Sequence, residues 1–150
     1  MFAGKKVALV RMISLLLVMA IVLPMTVSAA VEPRASAYLD NYNAYVYLPG
    51  DGEVRVYFNV QGTDDMDELG ALTIQIYECS TNSSNLNDWE WKAAFAHHKN
   101  PGMLGYDDYF HLGYVSYQGT PGKYYKAYVC VWAGKDGDGD TRYFWTSAKH

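Results

Sequence analysis

Three aspartates at alternate positions, Asp136, Asp138 and Asp140 in "KDGDGDT", carry the most suggestive spacing in this 150-residue chain. It is the beginning of the loop by which an EF-hand collects oxygens around calcium. The rest of that loop is missing, because Thr141 stands where it needs glycine and Ser147 where it needs a bidentate glutamate. Glycine and aspartate are also the residues that hairpin turns select for positive φ. An acidic hairpin turn is therefore favoured and no cofactor is expected; if calcium bound, Asp136, Asp138 and Asp140 would be its ligands. "TDDMDE", Thr63–Glu68, is a second acidic cluster, read as a solvated loop.

Cys79 and Cys130 are the only cysteines, too far apart in sequence for a CxxC redox or zinc motif. In an oxidising compartment such a pair tends to close, and a loop of about 50 residues makes the bridge worth about 4 kcal/mol. Two unpaired thiols are the alternative. His97 and His98 are adjacent, so on a strand they point opposite ways and cannot chelate one ion together. Asp107 and Asp108 meet the same objection as paired carboxylates. No GxSxG, HExxH or glycine-rich phosphate loop is present. Catalysis is disfavoured, although a site assembled from distant residues leaves no local signature.

The elements that must position these residues are strands. Apolar residues alternate with polar ones between clusters of Gly, Asn, Asp and Pro, and period two is the strand signature. Seven runs show it: residues 37–48, 53–60, 72–79, 89–95, 109–117, about 123–133 and 141–146. Seven short strands with turn signals about ten residues apart predict an all-β, antiparallel, immunoglobulin-like two-sheet sandwich, with a small β-barrel as alternative. "GKYYKA", Gly122–Ala127, resembles a tyrosine corner, where a buried Tyr hydroxyl bonds to backbone.

Alternation also assigns faces. In "KYYKAYVCVWA" one parity holds Tyr125, Ala127, Val129 and Val131, while the other holds Tyr124, Lys126, Tyr128, Cys130 and Trp132. Lys126 marks the second set as outward. Cys79 is outward by the same reasoning, so the two cysteines are placed to bridge across neighbouring strands. Counting from that bridge puts Tyr77 opposite Trp132; counting through the Gly and Asp loop puts Trp132 opposite Arg142 and Cys130 opposite Phe144. One outer face then carries Tyr77, Tyr128, Trp132, Arg142 and Phe144. Aromatic rings accept the C–H surfaces of sugars and a guanidinium accepts hydroxyls or carboxylates, so an extracellular glycan or a surface protein is the partner this face suits. Alternatively the rings only stabilise the sheet as cross-strand pairs.

The compartment is set by the first residues. Lys5, Lys6 and Arg11 precede the uncharged run "MISLLLVMAIVLPM", which ends in small residues at "VSAA". That is a secretory signal peptide over 1–29, with Ala30 as the first mature residue and one β-sandwich domain over 30–150. No membrane span is expected after cleavage. Cleavage removes three of twelve basic residues and none of sixteen acidic ones, taking the net charge from −4 to about −7. A chain so acidic, with no basic stripe, is a poor nucleic-acid binder.

"MDELGALTIQIYE" (Met66–Glu78) and "YYKAYVCVWAGKDGDGDTRYFWTS" (Tyr124–Ser147), together with the leader, resemble a group of small secreted proteins from clostridia and related Gram-positive bacteria. The resemblance covers nearly the whole mature chain. It implies secretion and a single domain, and it brings no ligand or active site with it. The expectation is thus a secreted, non-catalytic binding or interaction module. A small secreted effector or bacteriocin-like protein and a self-associating structural protein are the alternatives.

Overall fold

The structure, a computed structural model, describes residues 36–150. The expected signal peptide and its cleavage junction lie outside the described residues.

Among the described residues every long element is a strand: β1 (Leu39–Gly50), β2 (Glu53–Cys79), β3 (Glu90–Ala96), β4 (Leu104–Gln118), β5 (Tyr124–Lys135) and β6 (Asp138–Trp145). Three single 3-10 turns fill connections at Leu86–Asp88, His97–Lys99 and Pro101–Met103. The all-β antiparallel expectation holds. Among the described residues the strand count is six, because the second and third expected strands are one 27-residue strand, β2. All six are hydrogen-bonded into one curled sheet, where two separate sheets were expected.

β2 organises the sheet because each half of it has two neighbours. Its first half pairs with β1 on one side and β4 on the other; its second half pairs with β5 and β3. β6 closes the far side of β5. The run "QGTDDMDELGA", expected as a connection, carries the ladder through with register shifts between Gln61 and Met66 and between Ala71 and Thr73. Met66 and Leu69 anchor it by turning into the core. At Gly70 the chain has φ +146°, and a Cβ there would lie 2.2 Å from the Met103 carbonyl oxygen. Only glycine fits both the dihedral and the contact.

The curl lets the inner faces of the two halves share one core. Val54, Val56, Phe58 and Val60 from the first half join Ile74, Ile76, Ala127, Val129 and Val131 from the second, and each is 2% exposed or less. Alternation alone puts them there. The valine, isoleucine and phenylalanine side chains release about 1.5–3 kcal/mol each on full burial, so this cluster dominates the stability. Tyr125, 1% exposed, reaches the end of the core. Its hydroxyl accepts the Thr120 N–H at 2.6 Å and donates to the Glu78 carboxylate, pinning the turn five residues upstream as the tyrosine-corner reading anticipated.

The same ladders overturn the disulfide. β2 and β5 pair with Cys79 opposite Tyr124 and Cys130 opposite Thr73. Both cysteines are on the outer side of the ladder, as expected, but six residues apart along β5, about 20 Å. A bridge needs Cα atoms within about 7 Å. Both are buried free thiols.

Candidate functional site

The outer face of the second half of the sheet is built row by row. Across one row stand Trp91 on β3, Tyr77 on β2 and Lys126 on β5. The next holds Gln75, Tyr128 and Trp145, and the next Thr73, Cys130 and Tyr143. Strand alternation sends all of these to the outer side, between register shifts at Ile76/Tyr77 against β3 and at Ala71/Thr73 against β5.

Trp145 is the centre. Its ring centroid is 5.0 Å from that of Tyr77 and 4.9 Å from that of Tyr128, with Tyr143 6.1 Å beyond Tyr128. These are the separations and tilts at which aromatic pairs attract beyond their burial. Beneath them lies Lys126, only 7% exposed, its ammonium 4.6 Å from the Trp145 ring and 4.1 Å from that of Trp89. Trp89 is brought there by the 80–89 loop, where its indole N–H donates to the Ser83 carbonyl at 2.9 Å. Two indoles holding one ammonium are a cation–π sandwich, which offsets the desolvation that pushes the Lys126 pKa down. Trp145 is held against this buried charge and still keeps 37% of its surface exposed.

The expected site residues divide. Tyr77 and Tyr128 share this face, as predicted. Trp132 is on the same side but four residues along β5, about 13 Å away, opposite Gly70 and Thr141. Arg142 and Phe144 are not on this face. β5 and β6 pair one residue away from the count used above, with Val131 opposite Arg142 and Val129 opposite Phe144. A one-residue slip reverses every side chain of a strand. Phe144 therefore packs on the core, 5.2 Å from the Tyr42 ring, while Arg142 donates to the Thr141 carbonyl at 2.9 Å. Tyr143 and Trp145 take the outward places. The signal that finds them is Asp136–Gly137, a two-residue turn with φ of +55° and +81° that pairs Lys135 with Asp138. Asp-Gly is the preferred pair for such a turn, and counting outward from it sets the register.

That turn also disposes of the three aspartates differently from a calcium loop. Asp136 is in the turn and Asp138 begins β6, its carboxylate accepting the Gly139 N–H. Asp140 Oδ2 accepts from Ser36 Oγ at 2.5 Å and from the Ala37 and Tyr38 N–H groups at 2.9 and 3.3 Å. Those contacts hold its carboxyl below the usual range, the Ser36 bond first. Among the described residues no group of three or more His, Cys, Asp or Glu side chains is placed to hold a metal.

No family model matches the chain, and no curated protein does. A solved structure, a GH3 beta-glucosidase of Bifidobacterium adolescentis, is similar to it at 12% identity with a TM-score of 0.28, over 75% of this chain and 17% of the enzyme. A likeness at that level carries no argument about function.

A second aromatic array, unread in the sequence, covers the outer face of the first half. Tyr45, Tyr57 and Tyr114 form a ladder across β1, β2 and β4, with ring centroids 5.3 and 5.2 Å apart. Arg55 lies 5.7 Å from the Tyr114 ring and is paired to Glu53 at 2.7 Å. Tyr45 and Tyr57 are nearly parallel, at 11°. The signal was present in Tyr45 and Tyr57, both opposite in parity to buried valines.

Proposed function

We propose that this protein is an exported, non-catalytic binding module that engages an extracellular glycan or cell-surface ligand through the face of Tyr77, Tyr128, Tyr143 and Trp145. The observation that carries this reading is the packing of Trp145. Its ring is held between Tyr77 and Tyr128 at 5.0 and 4.9 Å and over the Lys126 ammonium, yet stays 37% exposed. Rings already locked by their neighbours lose little side-chain entropy when a ligand covers them. The exposed aromatic surface accepts the C–H faces of sugars or apolar side chains, and the tyrosine hydroxyls supply hydrogen bonds at its rim. Export rests on the basic and apolar leader and on the resemblance to small secreted proteins of Gram-positive bacteria.

Tryptophan fluorescence of the purified protein across a panel of polysaccharides and mucins tests the reading. A saturable change is expected with at least one of them. Trp145→Ala should weaken that binding about tenfold or more, the scale of losing one aromatic anchor. No response across the panel, or binding indifferent to Trp145→Ala, would remove this face from the proposal.

A further inference from the structure

Trp132, separated from the aromatic face by register, helps form a cleft of about 490 Å³ with Tyr106, Glu68, Asp67, Asp138 and Lys135. Its floor is made by absent side chains. A Cβ on Gly134 would lie 2.5 Å from Cζ2 of the Trp132 indole, and one on Gly139 2.4 Å from Cη2, so the ring lies flat along two glycines of β5 and β6. Glu68 on β2 stands between Tyr106 on β4 and Gly134 on β5, its register partners on either side. The backbones of Tyr106 and Gly134 are thus two strands apart, about 10 Å, with the Glu68 position between them.

We propose that this cleft binds an alkylammonium group, in a site separate from the aromatic face. A cation seated in this cleft would meet the two rings together with the carboxylates, and ring faces attract positive charge within about 6 Å. Charge selects the same class of ligand. Of the cleft's four charged groups three are carboxylates, and Lys135 is engaged by Asp64 at 3.1 Å. Asp67 and Asp138 each accept a backbone N–H, from Asp136 and Gly139, which fixes their orientation and leaves their charge. Among the described residues Glu68 has no ion-pair partner, so its carboxylate faces the cleft uncompensated. An alkylammonium is weakly hydrated for its charge when its nitrogen carries methyl groups, which lowers the cost of seating it between rings.

The test uses fluorescence titrations of the purified protein at constant ionic strength with three probes. Choline carries a quaternary ammonium, Nα-acetyl-lysine amide a primary one, and 3,3-dimethyl-1-butanol is the uncharged isostere of choline. Saturable quenching by one or both ammonium probes, absent with the alcohol, is expected, and their relative affinities tell a quaternary head group from a lysine side chain as source. Glu68→Gln should raise the Kd about fivefold, equivalent to about 1 kcal/mol. Tyr106→Ala, at a 59% exposed position, should weaken binding without loss of folding, and Trp145→Ala should leave it unchanged. Equal quenching by the alcohol, no saturable response to either ammonium, or a Kd unaltered by both Glu68→Gln and Tyr106→Ala would overturn the proposal. Loss of choline binding in Trp145→Ala would also overturn it, by assigning the signal to the other face.

Discussion

Cys130 lies between Thr73 on β2 and Tyr143 on β6, 3% exposed, and burial pushes its thiol pKa up. A buried protonated thiol is a poor nucleophile. Cys79, at the far end of β2, is buried as well. Both should therefore persist as thiols even in an oxidising medium. Alkylation in denaturant without reductant is expected to add two groups per chain, read by intact mass, whereas the native protein should react slowly. A mass showing no alkylation until reductant is added would mean that the β2–β5 register drawn here is wrong. Residue parity was legible in the sequence, since Cys79, Cys130, Tyr77 and Tyr128 all stand on the outward side that alternation assigned them. Partner identity was not, because more than forty residues separate β2 from β5 and no tight turn counts one strand against the other.

At the scale of elements, β2 is the part that alternation could not delimit. "QGTDDMDELGA" has the composition of a connection, and composition is blind to a strand that bends rather than stops. Gly70 permits the bend by accepting φ +146° against the Met103 carbonyl. Gly70→Ala should destabilise the fold by about 2–3 kcal/mol, the upper part of the range for overpacking because the contact is with backbone, measured as a lower urea midpoint. Gly102→Ala, where a Cβ meets nothing within 4 Å, should stay within about 0.5 kcal/mol and serves as control. Equal midpoints for the two variants would mean the close approach at Gly70 does not hold the curl. The β5–β6 hairpin is the opposite case, since Asp136–Gly137 contained its register and a count from any other centre exchanges Phe144 for Trp145 on the face.

For the molecule as a whole, the Glu78, Tyr125 and Lys92 cluster ties β2, β5 and β3 to the turn at Thr120. Lys92 is 3.4 Å from Glu78, and Tyr125 donates to the same carboxylate. Burial works against ionisation of Glu78, but the Tyr125 hydrogen bond and the Lys92 charge outweigh it and hold its carboxyl below the ordinary glutamate value. A carboxyl depressed by folding contributes stability that is complete above its unfolded value, about 4.3, and is lost as pH falls through the folded one. The thermal midpoint should accordingly fall as pH drops below about 4. Glu78→Gln should be less stable than the parent at pH 7 and should lose less over that acid window. Parallel midpoint curves for the two proteins would show that the cluster does not link ionisation to folding.

What the sequence determined by itself was local: strands from period two, the inner and outer side of each from alternation, and the Asp-Gly turn from the φ values those residues tolerate. The tertiary structure alone decided which outward residues become neighbours. Pairing between distant strands is fixed by the combined packing of both inner faces around one core, and that packing joined β2 across its bend, parted the cysteines, brought Trp145 over Lys126 and set Trp132 beside Tyr106 and Glu68.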